Sequence, residues 1–259
     1  MKINVYSVDQ QATGSFDGGT ITERKPIGFP REGSAVTRIG SLFYWAWAFA
    51  EQEGYIDSHP HQAFEILTYV VQGEAHHGDS LGTKSIVGKG GVQLIQAGSG
   101  VSHNERLVGP KAELFQIWFE PHIAEALKRP PAYSQYEHEQ FTSKEQDGVL
   151  IKTVIGEDAP IQLVADAQMW DMHMNSGATY NHVLKPNRAL AVLAVQGDSA
   201  TMQDADKSVQ FLEQDFVVVE SDQAVEQNIR IQAGLNEGSR LILIEVPIQV
   251  DYPLYPKRR

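Results

Sequence analysis

From about residue 35 to residue 120, apolar and polar positions alternate in short runs separated by glycine-rich turns: SLFYWAWAF, AFEILTYVVQG, SIVGKGGVQLIQAGSG and ELFQIWFEP. The runs are rich in β-branched and aromatic residues and are punctuated by Gly, Asp and Asn, which predicts mostly antiparallel strands of a β-sandwich or barrel. The stretch HIAEALKRPPAYSQYEHEQF then breaks the rhythm with a short helix-like piece, a double proline and a polar run. It reads as a linker over residues 122–145. Beyond it the strand pattern resumes as GVLIKTVIG, AQMWDMHMN, RALAVLAVQGDSA, SVQFLEQDFVVVE, NIRIQAG and SRLILIEVP. TYVVQGEAHHGD in the first half resembles LAVLAVQGDSAT in the second, each an apolar strand closed by Gln-Gly and an acidic residue, as an internal duplication of one β-domain would leave it. The expected architecture is all-β with a few short helices, divided into an N-terminal domain over residues 1–130 and a C-terminal domain over 131–259.

Composition narrows the function classes. The chain has 259 residues, 42% of them hydrophobic and 21% charged, as in a folded globular protein of one large or two modest domains. A formal net charge of −12 argues against direct nucleic-acid binding or attraction to an anionic membrane, since only the terminal Lys-Arg-Arg is strongly basic. There is no cysteine, so disulfides, thiolate metal sites and cysteine nucleophiles are excluded, and histidine and carboxylate must carry any metal chemistry. No apolar run has the length of a signal peptide or a membrane span, which makes a soluble cytoplasmic protein the expectation.

The candidate chemistry lies in HPHQAFE at 59–65 and HNE at 103–105. Successive side chains of a strand point to opposite faces, so His59, His61 and Glu65 would share one face, and His103 and Glu105 the same face of a second strand. If those strands are neighbours, three imidazoles and a carboxylate surround one point, a donor set suited to a divalent transition metal with open positions left for water, dioxygen or substrate. An HxH pair alone is a weak signal, and nine histidines in a chain of this length can cluster by chance. Pro60 suits an edge or a strand start, and AGSGVSHNE sets His103 after a glycine-rich turn able to reverse the chain. Glu65 can be read as a ligand or as an acceptor orienting a ligating imidazole; Glu105, two residues from His103, is the better fourth ligand. His76 and His77 are adjacent and cannot both face one site, so they read as solvated surface or as one residue at a pocket mouth. Aligning the halves on Gly73 and Gly197 puts Val183 and Lys185 at the positions of His59 and His61, with Gln227 and Ile229 at those of His103 and Glu105. The second copy therefore reads as degenerate, and the isolated His173 and His182 as structural.

HPHQAFEILTYVVQGEAHHGDSLG, GGVQLIQAGSGVSHNE, LFQIWFEP and PPAYSQYE, in that order and spacing, resemble the N-terminal signature of the pirin family, two-domain members of the cupin superfamily. The resemblance covers about residues 55–137. It implies two tandem cupin-type β-barrels, a bicupin, with one divalent metal on His59, His61, His103 and Glu105: iron foremost, with copper, nickel, manganese, cobalt or zinc as alternatives. It further implies that Glu65 sits just outside the ligand set. The segment before His59 and the short loop after Glu105 depart from the family pattern, which bears on the pocket rim.

The leading expectation is a metal-dependent dioxygenase similar to pirins that open the central ring of the flavonol quercetin, acting on a small aromatic or enediol substrate and dioxygen with Glu105 as the base. The alternative is a non-catalytic, metal-dependent regulatory protein that binds a protein partner. A purely structural metal is the third reading, and it uses the open coordination positions least. Phe43, Trp45, Trp47 and Phe49 alternate and would share a strand face, while Phe115 and Trp118 follow the site; the sequence leaves open which of these line a pocket and which form core.

Overall fold

The β-formers of the first half build the strands that the alternation predicts. The computed structural model describes residues 1–257 apart from Asp206, Asp222 and Gln223, so the two arginines of the terminal Lys-Arg-Arg lie outside the described residues. Apart from one short α-helix, Ile123–Ala126, and single 3-10 turns, the described elements are strands, in agreement with the all-β bicupin expectation. No helix is long and apolar enough to cross a membrane.

The chain divides into two units. The unit that carries the candidate site contains residues 11–140 and 163–165 together with the described C-terminal residues from 251. Its principal strands are β1 (Leu42–Ala50), β2 (Glu53–His61), β3 (Glu65–Asp79), β4 (Lys84–Gly88), β5 (Val92–Gln96), β6 (Val101–Phe119) and β7 (Ala132–Tyr136). They form one antiparallel sheet in the order β7-β5-β3-β6-β1, extended by Ile21–Ile27 and Ala12–Phe16, with β2 paired to β6 and β4 to β3. At 19 residues β6 is long enough to serve several partners: its N-terminal half pairs with β2, its C-terminal half with β1, and β3 runs along both. β2 pairs with β6 alone, an edge position that tolerates Pro60.

Trp45 and Trp47 both pack against Phe115, at ring-centroid distances of 5.9 and 5.4 Å, and belong to the buried core. Fully burying each such ring is worth about 1.5–3 kcal/mol. Phe43 leaves that face, because the register between β1 and β6 shifts between Leu42 and Tyr44; it packs with Phe29, Phe64 and Trp118 instead. The expected common face of four aromatics is therefore broken by a bulge. The segment read as a linker is also partly sheet: Ala132–Tyr136 pairs with β5, its polarity being that of a half-exposed outermost strand.

The other unit contains residues 1–10, 141–162 and 166–250. A seven-stranded antiparallel sheet, in the order Lys2–Tyr6, Phe216–Glu220, Arg188–Gln196, Ser239–Pro247, Gln168–Met174, Val149–Ile155 and Ser143–Gln146, accompanies a four-stranded sheet of Thr179–Leu184, Gln227–Ala233, Ser199–Gln203 and Ser208–Leu212. Leu190, Val192, Val217, Ile229, Ile231 and Leu241 form its core. A cut at residue 130 thus differs from the grouping of the chain. The first strand pairs with Phe216–Glu220, and a pairing between segments so distant in sequence leaves no local punctuation to read. In this unit Leu184 stands opposite Gln227 and His182 opposite Ile229, while His182 Nε2 lies 2.7 Å from Glu245, which also pairs with Arg188 at 2.6 Å. His182 is a buried structural residue, as its isolation in the sequence suggests.

Candidate metal centre

Strand pairing brings the three motif histidines together. His59 stands directly opposite His103 across β2 and β6, and His61 follows two residues on, on the same face. One ring nitrogen from each of His59, His61 and His103 lies within 4.8 Å of the others, and among the described residues this is the group of His, Asp and Glu side chains that can hold a metal ion. His59 Nδ1 lies 2.8 Å from the carbonyl of Asp57, so it carries the proton and leaves a lone pair on Nε2. The Nε2 atoms of His61 and His103 are 3.0 Å apart. At that distance a proton or a cation lies between the two lone pairs, and three converging imidazoles are a donor set that fits a divalent transition metal.

Burial holds His61 and His103 far below the ordinary imidazole range, each to about 3. The neighbouring imidazoles add to this, while Glu105 opposes it at His61 and Asp79 at His103. Both rings are therefore neutral at neutral pH, the form that binds metals. Between about pH 6.5 and 3 the unfolded chain holds more protons on these residues than the folded chain, so their contribution to stability is complete above 6.5 and is lost as the pH falls through that window. Urea unfolding of metal-free protein should show the midpoint dropping from pH 7 to pH 4.5, and His103→Gln should flatten that drop. Equal slopes for the two proteins would contradict the buried neutral imidazole.

Glu105 lies two residues beyond His103 on β6 and lines the same cavity as His59 and His61. Its Oε2 accepts a hydrogen bond from Gln116 Nε2 at 2.7 Å; its Oε1 accepts from Gln93 Nε2 at 3.3 Å and from Thr68 Oγ1 at 3.4 Å. The cavity has a volume of about 610 Å³. Phe29 and Tyr44 wall it, stacked at 4.7 Å and 25°, with Trp118, whose ring stands edge-on to His61 at 4.9 Å and 87°. Tyr44 follows from alternation: one residue before Trp45, it faces the cavity with Ala48 while Trp45 and Trp47 face the core.

The structure does not bring Glu65 to the histidines. The carboxylate accepts hydrogen bonds from Gln96 Nε2 and from the backbone N–H groups of Val164 and Ala165, all at 2.7–2.8 Å, and lines a different, smaller cavity. Gln62–Phe64 separates β2 from β3, with Ala63 at φ 66°, so the alternation counted from His61 to Glu65 does not run through the turn. His77 is the residue that spacing alone undervalued. It is buried, with its ring 5.4 Å from His103, stacked on Tyr133 at 4.4 Å, and its Nε2 is 3.0 Å from Asp79. Its neighbour His76 points outward to Glu74. The HxD spacing of His77 and Asp79, on a strand beside HNE, was the available signal.

Two antiparallel β-barrel units, one of them carrying a three-histidine cluster beside a buried glutamate, define a bicupin with a candidate metal centre. The model of the pirin family matches residues 45–119, from within β1 to the end of β6. A pirin-like protein of Caulobacter vibrioides is 27% identical over 161 residues, which cover 58% of this chain and 58% of that protein. The chain spans 56% to 64% of the length of five bacterial relatives that it matches. Among known structures, quercetin 2,3-dioxygenase from Acinetobacter baumannii superposes with a TM-score of 0.79 at 20% identity, over 98% of this chain and 82% of that one. The Escherichia coli pirin YhhW in complex with nickel(II) superposes with a TM-score of 0.77 at 23% identity, over 96% of this chain and 100% of that one. At these identities the likeness is one of fold.

Proposed function

We propose that the chain is a metal-dependent dioxygenase that opens an oxygenated aromatic ring of the flavonol type, with His59, His61, His103 and Glu105 holding the metal. The single observation that carries this reading is the convergence of the three imidazoles at the wall of an aromatic-lined cavity that also contains Glu105. A divalent transition metal bound there would supply charge to acidify a coordinated hydroxyl and a centre at which dioxygen reacts.

The residues supply the rest. Phe29, Tyr44 and Trp118 offer flat apolar surfaces for a planar polyphenol, and a cavity of this size falls within the range of small-molecule sites. Glu105 accepts the proton of the substrate's hydroxyl, leaving an electron-rich enolate or phenolate for oxidation. Gln116 holds that carboxylate while its own Oε1 accepts from Trp118 Nε1 at 3.1 Å, so the base and one aromatic wall are positioned by one side chain. The apolar walls also keep bulk water from the reacting face.

The test is aerobic incubation with quercetin of protein loaded in turn with iron, copper, nickel, manganese or cobalt, following the flavonol absorbance and oxygen uptake. Stoichiometric loss of both is expected with at least one metal. Absence of turnover with all five removes the flavonol substrate and leaves the regulatory, partner-binding reading as the one to pursue.

A further inference from the structure

Two buried ring nitrogens beside the histidine cluster have no hydrogen-bond partner: Nδ1 of His103 and Nδ1 of His77. A buried polar atom left unpaired costs about 1–3 kcal/mol, so a pair of them on neighbouring rings calls for an explanation. Their chemistry is complementary. His103 turns its Nε2 toward His61 and the ligand cluster; when that atom gives its lone pair to a metal, the proton of the neutral ring must sit on Nδ1, making it a donor. His77 directs its Nε2 to the Asp79 carboxylate at 3.0 Å, which accepts the Nε2 proton and leaves Nδ1 of His77 as a lone-pair acceptor. Donor and acceptor thus sit on rings whose centroids are 5.4 Å apart.

The strand register supports this pairing. On β3, His77 stands opposite Glu105 and Asp79 opposite His103, so all four side chains share the inner face. The side chain of His77 is 0% exposed and that of Asp79 1%. Asp79 is itself fixed: its Oδ1 accepts the backbone N–H groups of Leu81 and Thr83, both at 2.9 Å, leaving Oδ2 for His77. Tyr133 stacks on the other side of the His77 ring at 19°.

We propose that Asp79 and His77 form a positioning relay that sets the tautomer and orientation of His103 and thereby strengthens metal binding at the cluster. The proposal rests on the reading of His59, His61 and His103 as a metal centre. The relay runs from the Asp79 carboxylate to His77 and from the His77 Nδ1 lone pair to the His103 Nδ1–H, closing the short gap between the rings as the cluster takes up a metal. Hydrogen-bond partners of ligating imidazoles typically change metal affinity by about 10–100-fold.

Asp79→Asn is the sharp variant. It preserves shape and can keep the Oδ1 contacts to Leu81 and Thr83, but it presents an amide N–H to His77. The imidazole must then accept at Nε2 and carry its proton on Nδ1, where it meets the His103 N–H donor to donor. The experiment compares wild type with Asp79→Asn, His77→Phe, His77→Gln and the exposed control His76→Ala. Nickel(II) affinity is measured by calorimetry, the visible spectrum with cobalt(II) bound, and the urea midpoint of each metal-free form. Asp79→Asn and His77→Phe should weaken nickel(II) binding by about tenfold or more and alter the cobalt(II) spectrum with the metal-free midpoint of Asp79→Asn unchanged. His77→Gln, which offers one donor and one acceptor, should recover part of the affinity, and His76→Ala should bind as wild type. Wild-type affinity in both Asp79→Asn and His77→Phe overturns the relay. A loss that only tracks lowered midpoints, without rescue by His77→Gln, also overturns it. If wild type itself binds no nickel(II) or cobalt(II), the metal-centre reading has failed and the relay falls with it, an outcome distinct from normal wild-type binding with unaffected variants.

Discussion

Replacing His61 by alanine is expected to lower divalent-metal affinity by about 100- to 1000-fold, seen as loss of metal from protein purified without added metal and as a matching shift in chelator competition. The size follows from dividing the roughly 10–16 kcal/mol of a four-ligand site among its ligands, about 2.5–4 kcal/mol each. His61 is the informative choice because its Nε2 is the atom 3.0 Å from His103 Nε2, and because its removal opens space beside Trp118 without touching the β3–β6 pairing. His182→Ala serves as the contrast: that ring is bonded to Glu245 in the second barrel, and metal content should not move. Unchanged metal content in His61→Ala would show that the three imidazoles gather for another reason, such as sharing a proton.

Glu105→Gln is expected to reduce quercetin turnover by about 10²- to 10⁴-fold, the usual contribution of a positioned base, with KM little changed and metal affinity reduced less than in His61→Ala because the amide oxygen can still coordinate. The substitution is close to isosteric, and Gln116 Nε2 retains an acceptor at the position 2.7 Å away. What is lost is the group that takes the proton, together with negative charge next to the imidazoles. Full turnover in Glu105→Gln would exclude Glu105 as the base and assign the hydroxyl's proton to solvent. A parallel fall in metal content and turnover would instead make Glu105 a ligand without a separate acid–base role.

The two barrels differ in the side chains at corresponding strand pairs. In the first, His59 faces His103 across a strand pair; in the second, Leu184 faces Gln227, and the neighbouring His182 is tied to Glu245. The strand pairing persists while the donors do not. The second barrel keeps a buried core that includes Leu190, Val192, Val217 and Leu241.

Most of the centre was legible in the sequence because strand geometry is local. The alternation of HPH put His59 and His61 on one face, that of HNE put His103 and Glu105 on one face, and the adjacency of His76 and His77 allowed only one of them inward. Everything that depended on which strand lay beside which was settled by tertiary pairing. The turn at Gln62–Phe64 detached Glu65 from the histidine face and gave it to Val164 and Ala165, about a hundred residues further along the chain. The bulge in β1 took Phe43 off the face that Trp45 and Trp47 share in the core. The register of β3 on β6 chose His77 as the inward histidine and set Asp79 opposite His103. Covalent geometry repeats every two residues and can be read from one strand; register, bulges and the partners of distant segments are fixed by packing and hydrogen bonds between strands, and only the folded chain decides them.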